Sequence, residues 1–162
     1  MCPEETVRSV QEYIGCVKRD THDWVLIPGC SPWFRGQGDG SKPPIPGILR
    51  PGTGINERSI TERFANLAPI FGTTPTRTMY DEWLYLMQHV GLPTRLLDWS
   101  EGALIGLYFA VQGAIDEIDP GVWVLHPLKL NDVTLGEEIF PDSKHPAFQS
   151  RCDLAFGQRK GA

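Results

Sequence analysis

Apolar positions recur at helical spacing in three stretches of the chain. Thr6 to Arg19 carries Val7, Val10, Ile14 and Val17 near that spacing, with Lys18 and Arg19 where the negative end of a helix dipole favours cations. A second predicted helix places Ile60, Phe64 and Leu67 on one face. Ser59 and Glu62 have the form of a capping box at its start, and Pro69 stops it. From Met79 to Val90, Tyr80, Trp83, Leu84 and Met87 fall at i, i+3, i+4 and i+7, and Gly91 and Pro93 end the pattern. On that helix His89 falls roughly opposite the apolar stripe and Gln88 at its edge, so His89 is expected outside the core.

Glu101 to Ile115 differs from these, because it is apolar on every side from Ala103 to Val111. Such a pattern predicts a helix buried all round and crossing the centre of the fold, with Ser100 as its N-cap. Short β-prone runs lie at Trp24–Ile27, Trp33–Arg35 and Gly121–His126. The stretch from Gly36 to Gly54 is rich in glycine and proline and reads as a long loop of the kind that serves a site. The expected architecture is therefore α+β, a single domain over residues 1–162, with a small mixed sheet packed around a buried central helix and flanking helices.

Composition changes this picture in two ways. With 162 residues, 41% apolar and 22% charged, the chain can bury a core, which excludes a disordered segment. Fifteen basic against twenty acidic residues leave a net charge of −5, which argues against attraction to nucleic acid or an anionic membrane through bulk charge. Any bound anion must be held locally. The longest mainly apolar stretch, Gly102 to Ile115, is interrupted by Gln112 and falls short of the roughly 20 residues of a membrane span. Met1 to Val10 carries Glu4, Glu5 and Arg8 and lacks the pattern of a secretory signal, so a cytoplasmic location and free thiols at Cys2, Cys16, Cys30 and Cys152 are expected. No cysteine pair has metal-ligand spacing, and Asp98 with Glu101 makes a poor magnesium site, so no metal is expected.

Six of the seven basic residues from Arg35 to Arg95 are arginine, a bias that suits buried ion pairs or a compact anion site. Gly91 to Trp99 delivers the chain to the start of the apolar helix, where polar groups need partners. Arg95 and Asp98 must pair with each other, pair with another charge such as Arg35, or face a ligand. Free N–H groups at a helix start, helped by Thr94, Arg95 and Ser100, could dock a phosphate. Asp98 and Glu101 oppose it there, so Arg35 or Arg95 would have to supply the counter-charge.

Trp33-Phe34-Arg35-Gly36-Gln37, Arg50-Pro51, Trp83-Leu84, the run from Met87 to Ser100 (MQHVGLPTRLLDWS) and Leu107-Tyr108-Phe109-Ala110 together resemble the FRG domain family over roughly Trp24 to His126. Val90 stands where that family usually has Tyr or Phe. Gln158 to Ala162 looks like the start of the family's closing element, cut before its strand. The first strand also resembles, loosely, that of arginine-type ADP-ribosyltransferases. That resemblance implies Arg35 on a phosphate or ribose of NAD, His89, Thr94 and Arg95 on the nicotinamide side, and an acid among Asp98, Glu137 and Glu138 to stabilise the oxocarbenium-like sugar.

The expected site follows from these two likenesses. Arg35, His89 and Asp98 form its catalytic set, and Gln37, Thr94, Arg95 and Ser100 hold a nucleotide or other phosphate-bearing ligand, with NAD as one candidate cofactor and a protein as a candidate further target. Binding without turnover is the alternative, with the same pocket taking a nucleotide, a nucleic-acid end or a partner protein's acidic peptide, and Trp33 or Trp99 offering a stacking face. In the plain structural reading Arg35 bridges to Asp98, His89 caps its own helix, and the tryptophans pack.

Overall fold

The computed structural model describes residues 4–24, 30–76 and 78–156. Its elements are α1 (Val10–Asp20), β1 (Trp33–Gln37), a 3-10 turn (Gly47–Leu49), α2 (Glu57–Leu67), a second 3-10 turn (Ala68–Ile70), α3 (Tyr80–His89), α4 (Ala103–Gln112), β2 (Gly121–Leu125), α5 (Pro127–Leu135) and α6 (Pro146–Ala155). The fold is α+β, as expected. The chain divides into two compact units, the first from Met1–Pro43 with Asp98–Phe140, the second from Pro44–Leu97 with Pro141–Ala162. No helix among the described residues is long and apolar enough to cross a membrane.

The first unit is built on β1 and β2, an antiparallel pair with Phe34 opposite Val124, Arg35 opposite Trp123 and Gly36 opposite Val122. Ser100 adds one rung beyond β1: Phe34 donates to its carbonyl at 2.7 Å and Ser100 donates back at 2.9 Å. The described sheet is thus two-stranded and antiparallel rather than mixed. Of the expected strand Trp24–Ile27, Trp24 lies in a turn and the remainder falls outside the described residues, as does the closing element at Gln158–Ala162.

Directly opposed residues share a face of the sheet, so Phe34, Gly36, Val122 and Val124 form one face, and α4 lies on it. A methyl group at Gly36 would collide with the Gly106 carbonyl and the Ala110 amide, and one at Gly106 would press on Phe34 and Val122. Glycine at both positions lets helix and strand meet at backbone distance. Tyr13 of α1 is 7% exposed and donates its hydroxyl to the Ala103 carbonyl at 2.8 Å; burial pushes its pKa up to about 12.

Two expectations for α4 are corrected. The helix is not buried all round, because Gly106 and Ala110 are its only buried residues while Leu104, Ile105, Tyr108, Phe109 and Val111 are exposed. The helix packs on one sheet face through its small side, Gly106 and Ala110. Nor is Ser100 the N-cap. Its backbone is committed to Phe34, its hydroxyl donates to the Gly102 carbonyl at 3.2 Å, and Gly102 occupies the cap.

In the second unit α2, α3 and α6 enclose two neighbouring cores. Trp83 packs with Ala65 and Ala68, and Leu84 packs with Cys152 and Ala155. Trp83, Leu84 and Met87 are each 1% exposed, so the stripe read from the periodicity is core. The indole N–H of Trp83 donates to the Thr76 carbonyl at 3.0 Å. The start of α2 is corrected from Ser59 to Asn56, whose side-chain oxygen accepts from the Ser59 amide at 2.9 Å. Glu62 turns instead to Arg58, one helical turn earlier. Helix α6, and α5 in the first unit, have weak periodicity that the sequence pattern does not predict; α5 is started by His126, whose Nδ1 accepts from the Lys129 amide, and by Pro127 behind it.

Candidate functional site

The side chains of Trp33, Arg35, Gln37, Trp123 and Leu125 point to the sheet face that α4 does not cover, since strand neighbours alternate. Arg35 is half-buried and donates from Nη1 to the Asp98 backbone carbonyl at 2.7 Å, which ties β1 to the segment leading into Ser100. Directly across from it stands Trp123, 38% exposed. Phe140 closes the Trp33 end of this face, with ring centroids 5.8 Å apart, so Trp33 packs. At the other end Gln37 donates from Nε2 to the Lys42 carbonyl at 2.8 Å.

The loop after β1 starts as an ordered turn. Asp39 accepts from the Ser41 hydroxyl at 2.6 Å and its amide at 3.1 Å, and pairs with Lys42 at 2.9 Å. The Ser41 hydroxyl, then Lys42, hold the Asp39 carboxyl below its usual pKa. Gly40 adds a hydrogen bond to the Asp119 carbonyl at 2.9 Å, so the turn is anchored to the chain just before β2.

Thr94, Arg95 and His89 belong to the second unit. Thr94 is 2% exposed; its hydroxyl donates to Gln88 Oε1 and accepts from the Leu96 amide at 3.1 Å. Arg95 grips Glu57 with both branches of its fork, Nε to Oε1 at 2.7 Å and Nη2 to Oε2, and gives Nη1 to the Arg151 carbonyl at 2.9 Å. Their side chains are 18% and 17% exposed, a shielded bidentate pair. Of the partners considered for Arg95, the structure supplies another charge, and it is Glu57 rather than Arg35 or Asp98. The two are 38 positions apart in sequence, and no local pattern pointed to the pairing.

His89 is exposed at the end of α3 and helps line a wide concavity of about 480 Å3 within the second unit, together with Thr73, Thr74, Glu82 and Tyr85. Glu82, Tyr85 and His89 recur along one face of α3. Burial, with smaller contributions from the charges of Asp81 and Cys152, raises the Tyr85 hydroxyl pKa. Glu82 brings an acid to this hollow, which suits cations better than phosphate.

The expected site residues are therefore distributed over two units. Arg35, Gln37, Asp98 and Ser100 sit in the first, and His89, Thr94 and Arg95 in the second. Within the first, Arg35 and Asp98 come together; within the second, Thr94 and Arg95 each meet residues of that unit, and His89 faces a different hollow. Trp123 was missed, because a continuous apolar run such as GVWVL shows no alternation. Only the cross-strand register places its ring on the Arg35 face.

A family model described as the FRG domain matches residues 31–118, which run from just before β1 to beyond α4 and contain every expected site residue. Comparison with curated proteins and with solved structures returned no match.

Proposed function

From the premise that the chain belongs to the FRG domain family, we propose that it is a binding module for a nucleotide or other phosphate-bearing ligand, taken on the uncovered face of β1–β2. One observation carries this reading: Arg35 and Trp123 are directly opposed in register on that face, with Gln37 two residues along. A guanidinium offers two N–H groups to two phosphate oxygens, and a partly exposed indole offers a stacking plane. Stacking of a base on an aromatic ring contributes about 1–3 kcal/mol.

The net charge of −5 makes such a local fork the means of attracting an anion. With its nitrogen on the Lys42 carbonyl, Gln37 turns its amide oxygen to a ribose hydroxyl. Asp98 positions Arg35 through its carbonyl, and Ser100 pairs by its backbone with Phe34, the neighbour of Arg35 on β1. NAD is one member of this ligand class, and ADP-ribosyl transfer is the enzymatic extension, drawing its acid from Asp98, Glu137 or Glu138.

Ligand-observed NMR with a panel of mono- and dinucleotides, NAD included, tests the proposal. Binding is expected for at least one member, with loss in Arg35→Gln and in Trp123→Ala and no change in melting temperature for Trp123→Ala. Silence across the panel, or unchanged binding in both variants, overturns it. Nicotinamide released from NAD would establish turnover.

A further inference from the structure

The outward side of α4 is left unused by the nucleotide reading. Leu104, Ile105, Tyr108, Phe109 and Val111 are 50–60% exposed, and Gln112 is the polar member of that side. Scattered exposed apolar residues need no account, but five on adjacent turns of one helix form a contiguous patch of the kind that marks an interaction surface. The chain carries no charged residue from Gly102 to Ile115.

We infer that two copies of the chain pair through this surface, α4 against α4 across a twofold axis. Composition points to self-association: transient interfaces are about as polar as the rest of a surface, whereas homodimer interfaces are more apolar and poor in charge. The area agrees. Half-exposed side chains of this size, with Ile115 (54% exposed) beyond them, present on the order of 600 Å2, so a pair buries about 1,200 Å2, at the lower edge of stable specific interfaces.

An isologous pair must also be complementary to itself. Here an uncharged ridge meets its own copy with no like charges at the centre. Tyr108 and Phe109, edge to face at 5.4 Å, form the anchor. The acids Glu101, Asp116, Glu117 and Asp119 flank the helix at both ends, so an antiparallel crossing brings acids together at the rim. Added salt screens that repulsion and tightens the pair. Since α4 covers the opposite face of the sheet, pairing leaves Arg35 and Trp123 open to ligand; the inference stands or falls apart from the nucleotide reading.

Sedimentation velocity of the full chain from low to high micromolar concentration tests it, with circular dichroism confirming the fold. The mass is expected to rise to twice that of one chain, and to do so at lower concentration in higher salt. Tyr108→Glu and Leu104→Glu are expected to remain monomeric throughout, while Val133→Glu, at a residue 76% exposed on a different helix, α5, still pairs. A folded wild type that stays monomeric at every concentration overturns the inference and assigns the surface to a different partner. Dimers that persist in folded Tyr108→Glu, or an open-ended series of larger species, overturn it as well. If a glutamate variant fails to fold, the wild-type concentration and salt series decides alone.

Discussion

Gly36 on β1 meets Gly106 on α4 backbone to backbone, the Gly106 carbonyl occupying the space that a side chain on Gly36 would need. Gly36 closes the Phe34-Arg35-Gly36 triplet, so the three residues divide the labour. Phe34 is core at 3% exposure, Arg35 turns to the open face, and Gly36 admits the helix. Gly36→Ala forces its methyl onto backbone atoms, which cannot yield as a flexible side chain can. The expected cost is about 3 kcal/mol or more, a fall in melting temperature of roughly 6–12 °C. Gly15→Ala, in the interior of α1 with open space around it, is expected to gain about 0.5–1 kcal/mol. Thermal melts of the two variants side by side check both signs.

Arg95 and Glu57 form a shielded pair, so removing one partner strands the other charge. Arg95→Met is expected to destabilise by about 3 kcal/mol, and Arg95→Lys by a smaller amount, because an ammonium cannot reproduce the two-pronged contact. The double variant Arg95→Met with Glu57→Leu is expected to recover much of the loss. Urea denaturation of the wild type, Arg95→Met, Glu57→Leu and the double variant gives the coupling energy, and additive costs would show that the pair contributes nothing.

The cap of α2 allows a direct choice between two residues three positions apart. Asn56→Ala is expected to cost about 1 kcal/mol, whereas Ser59→Ala, which keeps the amide that Asn56 accepts from, changes stability by under about 0.5 kcal/mol. The reverse order would restore Ser59 as the capping residue.

Tyr13 makes stability pH-dependent on the alkaline side. Its folded pKa of about 12 lies above the ordinary value of 10.0, so the unfolded chain loses the phenolic proton first. The contribution is complete below pH 10 and declines as pH rises toward 12, by about 2–3 kcal/mol in all. Tyr13→Phe is expected to lose about 1 kcal/mol at neutral pH, with the hydrogen bond to Ala103, and to show a flatter alkaline decline. Denaturation series at several alkaline pH values, with the phenolate absorbance followed in parallel, measure both effects.

What the sequence determined by itself was local and periodic. The apolar stripe of α3 marked Trp83, Leu84 and Met87 as core, and the short strands at Trp33 and Gly121 followed from β-prone runs between turns. The motifs around Arg35-Gly36 and Thr94-Arg95 carried the resemblance to the FRG domain family without revealing their contacts. Tertiary structure decided everything that depends on distant neighbours. Glu57 reaches Arg95 across 38 residues, Trp123 reaches the face of Arg35 through strand register, and the uniformly apolar α4 is covered on one side only. The reason is physical: periodicity records how a segment orders its own side chains, while burial and pairing depend on which other surface arrives, and the chain between them carries no record of that.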